Sequence, residues 1–176
     1  MKSLAIYSSQ TGFTKKYAEK IAKDSNGQVL SIKEAKGKDE AFFDSFDVVV
    51  YGGWIMGGGV NGSGWFLNKA KNWTNKKLVI FGCGATPVGA KEVEDMLGTM
   101  VPAELKDSIK AFYCPGGLNY DKMGLLSKIL MKALVASLRK KKDQTDDDKN
   151  KIEIMSKSYD ISDMSYVKDI VEYIVG

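Results

Sequence analysis

Leu4-Ala5-Ile6-Tyr7-Ser8-Ser9-Gln10-Thr11-Gly12-Phe13-Thr14-Lys15-Lys16 is the stretch that decides how this chain is read. A short apolar run ends in a loop of hydroxyls and one glycine, and a helical pattern starts at once. The spacing predicts a strand over residues 3–9 and a helix over residues 14–24. The first backbone N–H groups of a helix have no partner within it and carry partial positive charge, so the place suits an anion. Ser9, Thr11 and Thr14 add hydroxyls without charge, Gly12 lets the backbone curl, and the loop holds no carboxylate. On the helix, Tyr17, Ala18, Ile21 and Ala22 share one face; Lys15, Lys16, Glu19, Lys20 and Lys23 share the other. Two lysines in the first turn oppose the helix dipole, a cost that a bound phosphate would offset. An ordinary strand-to-helix turn capped by Thr11 or Thr14 fits the same residues, and the segment alone does not separate the two readings.

Working outward, strands and helices alternate. Strands are expected at 28–34, 47–52, 77–83 and 109–114. Asp47-Val48-Val49-Val50-Tyr51 and Leu78-Val79-Ile80-Phe81 are nearly continuous apolar runs, as in strands covered on both faces. Helices are expected at 64–73, 90–100, 124–142 and 166–175, with a short one at 39–46. This order predicts an α/β fold with a parallel sheet and right-handed crossovers. With 176 residues, no internal repeat and no linker, one domain is expected. Residues 139–151, with Lys140-Lys141-Lys142 followed by Asp146-Asp147-Asp148, read as a solvated, mobile segment.

Composition excludes several classes of function. The chain has no histidine, which removes Ser-His-Asp and Cys-His nucleophile systems and histidine-containing zinc sites. It also removes the usual acid–base group for neutral pH, so an enzyme here would lean on a cofactor. No catalytic acid or base and no metal ligand is nominated. A formal charge of +4, without aromatics interleaved among the lysines, gives nucleic-acid binding little support. Cys83 and Cys114 lack metal-ligand spacing and read as small packing residues at the rim of the site. Lys2 runs directly into strand, and no apolar run approaches the ~20 residues a membrane span needs, so a cytoplasmic protein is expected.

Three expected strand ends carry loops of small residues: 9–14, Gly52-Gly53-Trp54-Ile55-Met56-Gly57-Gly58-Gly59, and Gly82-Cys83-Gly84-Ala85-Thr86-Pro87. In open α/β sheets, ligands sit outside the carboxyl ends of the strands, where the strand order reverses. Trp54 offers an aromatic face there and Met56 a polarisable edge.

On these residues the chain resembles the flavodoxins. Ser9-Gln10-Thr11-Gly12-Phe13-Thr14 is similar to their phosphate loop, a Thr/Ser-x-Thr-Gly-x-Thr pattern that binds the phosphate of FMN. The resemblance implies a flavodoxin-like three-layer sandwich with a five-stranded parallel sheet in the order 2-1-3-4-5. It implies an FMN site made by Ser9, Gln10, Thr11, Gly12, Phe13 and Thr14 at the phosphate. Gly53, Trp54, Ile55, Met56 and Gly57 would lie along the ring, with Gly84, Ala85 and Thr86 at its polar edge. By the same resemblance, the Met56-Gly57 peptide accepts a hydrogen bond from N5 of the reduced flavin. Such a protein is an FMN-dependent oxidoreductase or a non-enzymatic electron carrier between protein partners.

The chain departs from the carrier flavodoxins, which are strongly acidic, in its sequence pI of about 8.9. Residues 52–65 contain no Asp or Glu. Beyond the fifth strand come Cys114-Pro115-Gly116-Gly117, a Met- and Leu-rich helix, a charged segment and an aspartate-containing lead into the last helix. That extension, about 119–151, resembles the menaquinone-dependent protoporphyrinogen oxidase branch, which implies a quinone or another hydrophobic small molecule as redox partner. In the long helix, Leu126, Ile129, Leu130, Ala133, Leu134 and Leu138 are expected to form the core stripe, which Leu125, Met131 and Val135 widen. Lys128, Lys132 and the 139–142 run flank it. Docking on the inner face of an anionic membrane, closure over a substrate, a homodimer contact and a plain covering helix all remain open readings of that surface.

Overall fold

The computed structural model covers residues 1–176 and describes all of them except the side chain of Asp147. The strands are β1 (Ser3–Ser8), β2 (Gln28–Ser31), β3 (Val48–Met56), β4 (Gly59–Val60), β5 (Lys77–Gly84) and β6 (Ile109–Pro115). In space they run β2-β1-β3-β5-β6, all parallel, with β4 folded back antiparallel on the tip of β3. This is the expected five-strand order with one short return strand added. The helices are α1 (Phe13–Asp24), α2 (Ile32–Ala35), α3 (Glu40–Asp44), α4 (Ser63–Ala70), α5 (Lys91–Thr99), α6 (Leu125–Lys140), α7 (Asp146–Met155) and α8 (Val167–Val175). A two-stranded ribbon pairs β7 (Gly117–Leu118) with β8 (Tyr159–Asp160).

Successive strand side chains point to opposite faces of the sheet. Ala5, Val48, Val50, Val79 and Phe81 pack against Tyr17 and Ile21 of α1 and Ile170 and Ile174 of α8. Leu4, Ile6, Val49, Tyr51, Leu78 and Ile80 pack on the other side with Phe43, Phe66 and Val93 of α3, α4 and α5. Both faces are therefore dry, which is why the strands read as apolar runs. Fully burying each large aliphatic side chain contributes about 1.5–3 kcal/mol. Gly52 shows how tight the centre is: a Cβ there would lie 2.1 Å from Cζ of the buried Phe81. The Tyr17 hydroxyl ties the layers together, donating to Pro115 O at 2.6 Å and accepting from Asp163 N at 2.9 Å.

Four expectations are corrected. The strand expected over 28–34 stops at Ser31, because Ser31 caps α2. Glu34 N donates to Ser31 Oγ at 3.3 Å, and Ser31 N donates to the Glu34 carboxylate at 2.8 Å. The glycine-rich stretch after Tyr51 is not an irregular loop; β3 continues to Met56 and turns back through Gly57-Gly58. The segment 139–151 is largely helical. Thr145 and Asp148 form a capping box for α7, and Lys141 Nζ donates to Asp148 Oδ2 at 2.6 Å.

The fourth correction concerns α6. Its expected core stripe faces outward: Leu126 is 69 % exposed, Ile129 54 %, Leu130 46 % and Leu134 44 %. Ser127 and Val135 are the buried positions instead. Both faces of the sheet are already covered, so α6 finds no place in either core and packs with α7 beyond the strand ends. Among the described residues, no helix is long and apolar enough to cross a membrane.

Candidate functional site

A cavity of about 570 Å³ opens at the carboxyl ends of the strands. One wall is the 9–14 loop. Gly12 takes the left-handed conformation (φ 99°) at the start of α1, which glycine adopts without penalty, and no side chain caps the helix. The first N–H groups of α1 are thus left to whatever enters the cavity. Ser9 works inside the loop, its Oγ accepting from Gly12 N at 3.2 Å. Gln10, Thr11, Phe13 and Thr14 line the cavity. Thr14 is buried.

The second wall is the β3–β4 hairpin. Gly57 (φ 59°) and Gly58 (φ 80°) form a two-residue turn with both φ positive, the geometry that matches strand twist and favours glycine. The hairpin carries Trp54, Ile55, Met56 and Gly57 along the cavity. Asn61 fixes its base: Asn61 N donates to Trp54 O at 2.9 Å, while the Tyr51 hydroxyl donates to Asn61 O at 2.7 Å. The Ser8 hydroxyl donates to Asn61 Oδ1 at 2.6 Å, linking the hairpin to β1. Gly53 does not line the cavity. A Cβ there would meet Asn61 O and Val60 Cγ1, each at 2.5 Å, so its role is to let β4 pack.

The third wall, Gly84-Ala85-Thr86, is clasped from behind. The Tyr113 hydroxyl donates to Thr86 O at 2.5 Å and accepts from Thr86 N at 3.1 Å. The Tyr159 hydroxyl donates to Ala85 O at 2.6 Å, and Gly116 N donates to Gly84 O at 2.6 Å. All three carbonyls therefore already accept a bond within the protein. Burial pushes the Tyr113 hydroxyl well above its ordinary pKa, so it stays a donor at neutral pH.

Eleven of the fourteen residues singled out from sequence line this one cavity; Ser9, Gly12 and Gly53 instead shape its walls. The far side lies beyond the fourteen residues singled out from sequence, although closure over a substrate is among the readings open for the long helix. It is closed by Met96 of α5, by Met123 and Met155, and by Ser127, Leu130, Met131 and Leu134 around α6. With Met56, five of the eight methionines meet here, which makes the wall soft and adaptable to differently shaped apolar guests. Nothing in their spacing marks them as a set, because they come from five separate parts of the chain.

Charge is sparse. Glu92 is the one charged residue among the described lining residues. Its carboxyl is held below the usual range by its own backbone N–H and by Lys151, whose Nζ lies 3.0 Å away. Cys83 and Cys114 sit opposite each other on β5 and β6 as buried thiols. Burial raises the Cys83 pKa to about 12, which keeps it unreactive at the cavity floor.

A flavodoxin domain family model matches residues 4–146. The fold is similar to a flavoprotein from Lactobacillus acidophilus solved in complex with FMN, at 17 % identity, covering 65 % of this chain and 91 % of that one, with a TM-score of 0.44. It is similar to two-electron reduced Megasphaera elsdenii flavodoxin, at 17 % identity, with coverage of 72 % and 90 % and a TM-score of 0.45. No curated protein matches the chain. With four-fifths of its length under the family model and the sheet order 2-1-3-5-6 around a loop-built cavity, the chain belongs to the flavodoxin domain family.

Proposed function

We propose that the cavity holds FMN without a covalent link, and that electrons pass through it to or from a hydrophobic small molecule, a quinone first among them. FMN is the cofactor that flavodoxin membership points to. When bound, it supplies redox chemistry that the side chains of this histidine-free chain do not.

The residues present fit the group. The uncapped start of α1 and the Thr11 hydroxyl offer donors to a phosphate, with no carboxylate beside them. Trp54 and Ile55 on the hairpin and the backbone of Gly84, Ala85 and Thr86 offer two walls for a flat ring. Gln10 bridges the loop to the far wall, its amide lying against Gly124 at the start of α6.

The observation that carries the small-molecule reading is the far wall itself. The cavity does not end at the flavin-sized slot but runs on to Met96, Met123, Met131, Leu130 and Leu134, an apolar surface that excludes water. A carrier that meets protein partners needs no such roof. The resemblance of 119–151 to the menaquinone-dependent protoporphyrinogen oxidases makes porphyrinogens the first donors to test.

The test is an FMN titration followed by absorbance, then anaerobic reduction and rapid mixing with a soluble menaquinone analogue. Saturable flavin binding and fast reoxidation by the quinone are expected. Flavin that is bound and reduced but ignores the quinone, while passing electrons to a redox protein, would return the chain to the carrier class. Absence of flavin binding would end the site assignment.

A further inference from the structure

We infer that α6 docks on an anionic phospholipid surface, its outward apolar face entering the headgroup boundary and a basic groove along its edge receiving lipid phosphates. Two observations meet on this helix. The first is the apolar face. Leu125, Leu126, Ile129, Leu130, Ala133 and Leu134 fall within half of the helix circumference, and Leu125 is 76 % exposed. The 16-residue helix is about 24 Å long, so this is a continuous apolar ridge along its first three turns rather than a scatter of single residues.

The second is a groove of about 610 Å³ beside that ridge, between α6 and residues 156–158. Lys128, Lys132, Arg139 and Lys157 line it, with Asp121 as the one carboxylate among its described residues. Lys128 and Lys132 have no carboxylate partner among the described residues, and Arg139 Nη2 donates only to Ser156 Oγ, at 3.1 Å. Ser156, Ser158 and Tyr120 add polar groups without charge. Lys157 pairs with Glu153 Oε1 at 3.3 Å, which leaves Lys128, Lys132 and Arg139 as the groove's cations with no carboxylate partner among the described residues, a match for phosphate oxygens. Their place along one edge, with the leucines on the outer face, is the arrangement of a helix lying in a membrane interface.

A second copy of the chain is a poorer occupant. It carries the same net charge of +4, so two copies repel on average where an anionic surface attracts. The inference does not depend on FMN, but it meets the proposed function at one point. Leu130 and Leu134 belong both to the ridge and to the cavity wall, so docking turns the cavity toward the bilayer, where hydrophobic redox molecules dissolve.

The full chain would be sedimented with vesicles of phosphatidylcholine and with vesicles of mixed phosphatidylglycerol and phosphatidylcholine. Binding to the mixed vesicles, weakened by salt, is expected. Leu126→Glu with Ile129→Glu, and Lys128→Glu with Lys132→Glu, should each lower it about tenfold or more. All four positions are surface residues outside the cavity, and circular dichroism and FMN titration of the variants separate this failure from failure of the flavin site. Three results would overturn the inference. They are no binding to the mixed vesicles, binding untouched by both variants, and a dimer that Leu126→Glu with Ile129→Glu dissolves in a protein that ignores vesicles.

Discussion

At the sheet end of the cavity, the 9–14 loop and the β3–β4 hairpin rise from strands whose side chains are almost all buried. At the α6 end, the wall hangs from a helix that buries only Ser127 and Val135 and shares neither core. The first region is positioned by the same packing that holds the fold, so its geometry costs nothing extra to maintain. The second is held by a few contacts with α7 and its capping box, so it can shift without loosening the sheet. A cofactor needs the first kind of wall; a guest that comes and goes needs the second.

Substitutions break or sharpen this contrast, and the largest effect is expected in the sheet. Gly52→Val drives a side chain into Phe81, and a loss of about 3 kcal/mol or more is expected in chemical denaturation. A variant as stable as the parent would show that the sheet end is not the rigid one. Next comes Thr11→Val, which should weaken FMN binding about tenfold while leaving the melting temperature alone. Tyr113→Phe removes the clasp on Thr86; a loss of about 1 kcal/mol is expected, with faster backbone hydrogen exchange at 84–86.

The fourth effect is a pH dependence confined to the α6 end. Lys141, with the backbone and hydroxyl of Thr145, holds the Asp148 carboxyl down at about 2, below its ordinary value near 3.9. Its contribution is therefore complete above about pH 4 and is lost as pH falls toward 2. Hydrogen exchange in α7 should accelerate through that window, and Asp148→Asn should abolish the dependence. The smallest effect is Ala133→Leu on the outer ridge, expected to move stability by less than about 0.5 kcal/mol. A large loss there would mean that α6 is packed as firmly as the sheet.

The contrast also marks what could be read without coordinates. Val48-Val49-Val50 and Leu78-Val79-Ile80 declare buried strands because both of their faces are dry. The 9–14 loop is legible because Gly12, its hydroxyls and the helix start are contiguous. In α6, periodicity groups Leu126, Ile129, Leu130, Ala133 and Leu134 correctly on one side, yet it carries no information about which side meets protein. That depends on whether the sheet has a vacant face, which α1, α8, α3, α4 and α5 have already taken. The hairpin was hidden because Gly57-Gly58-Gly59 reads equally as slack chain. The clasping tyrosines, Tyr113 and Tyr159, were hidden because their partners lie 27 and 74 residues away.

Tyr17 makes the two ends of the chain depend on each other. Its hydroxyl, in the first helix, donates to Pro115 O and accepts from Asp163 N, while Ile161 N donates to Gly116 O at 2.8 Å and β8 pairs with β7. The partners lie 98 and 146 residues away in sequence, so the helix that follows the 9–14 loop is tied to the last quarter of the chain. A chain cut short before residue 163 would keep the loop and lose one of the ties that hold it beside the third wall.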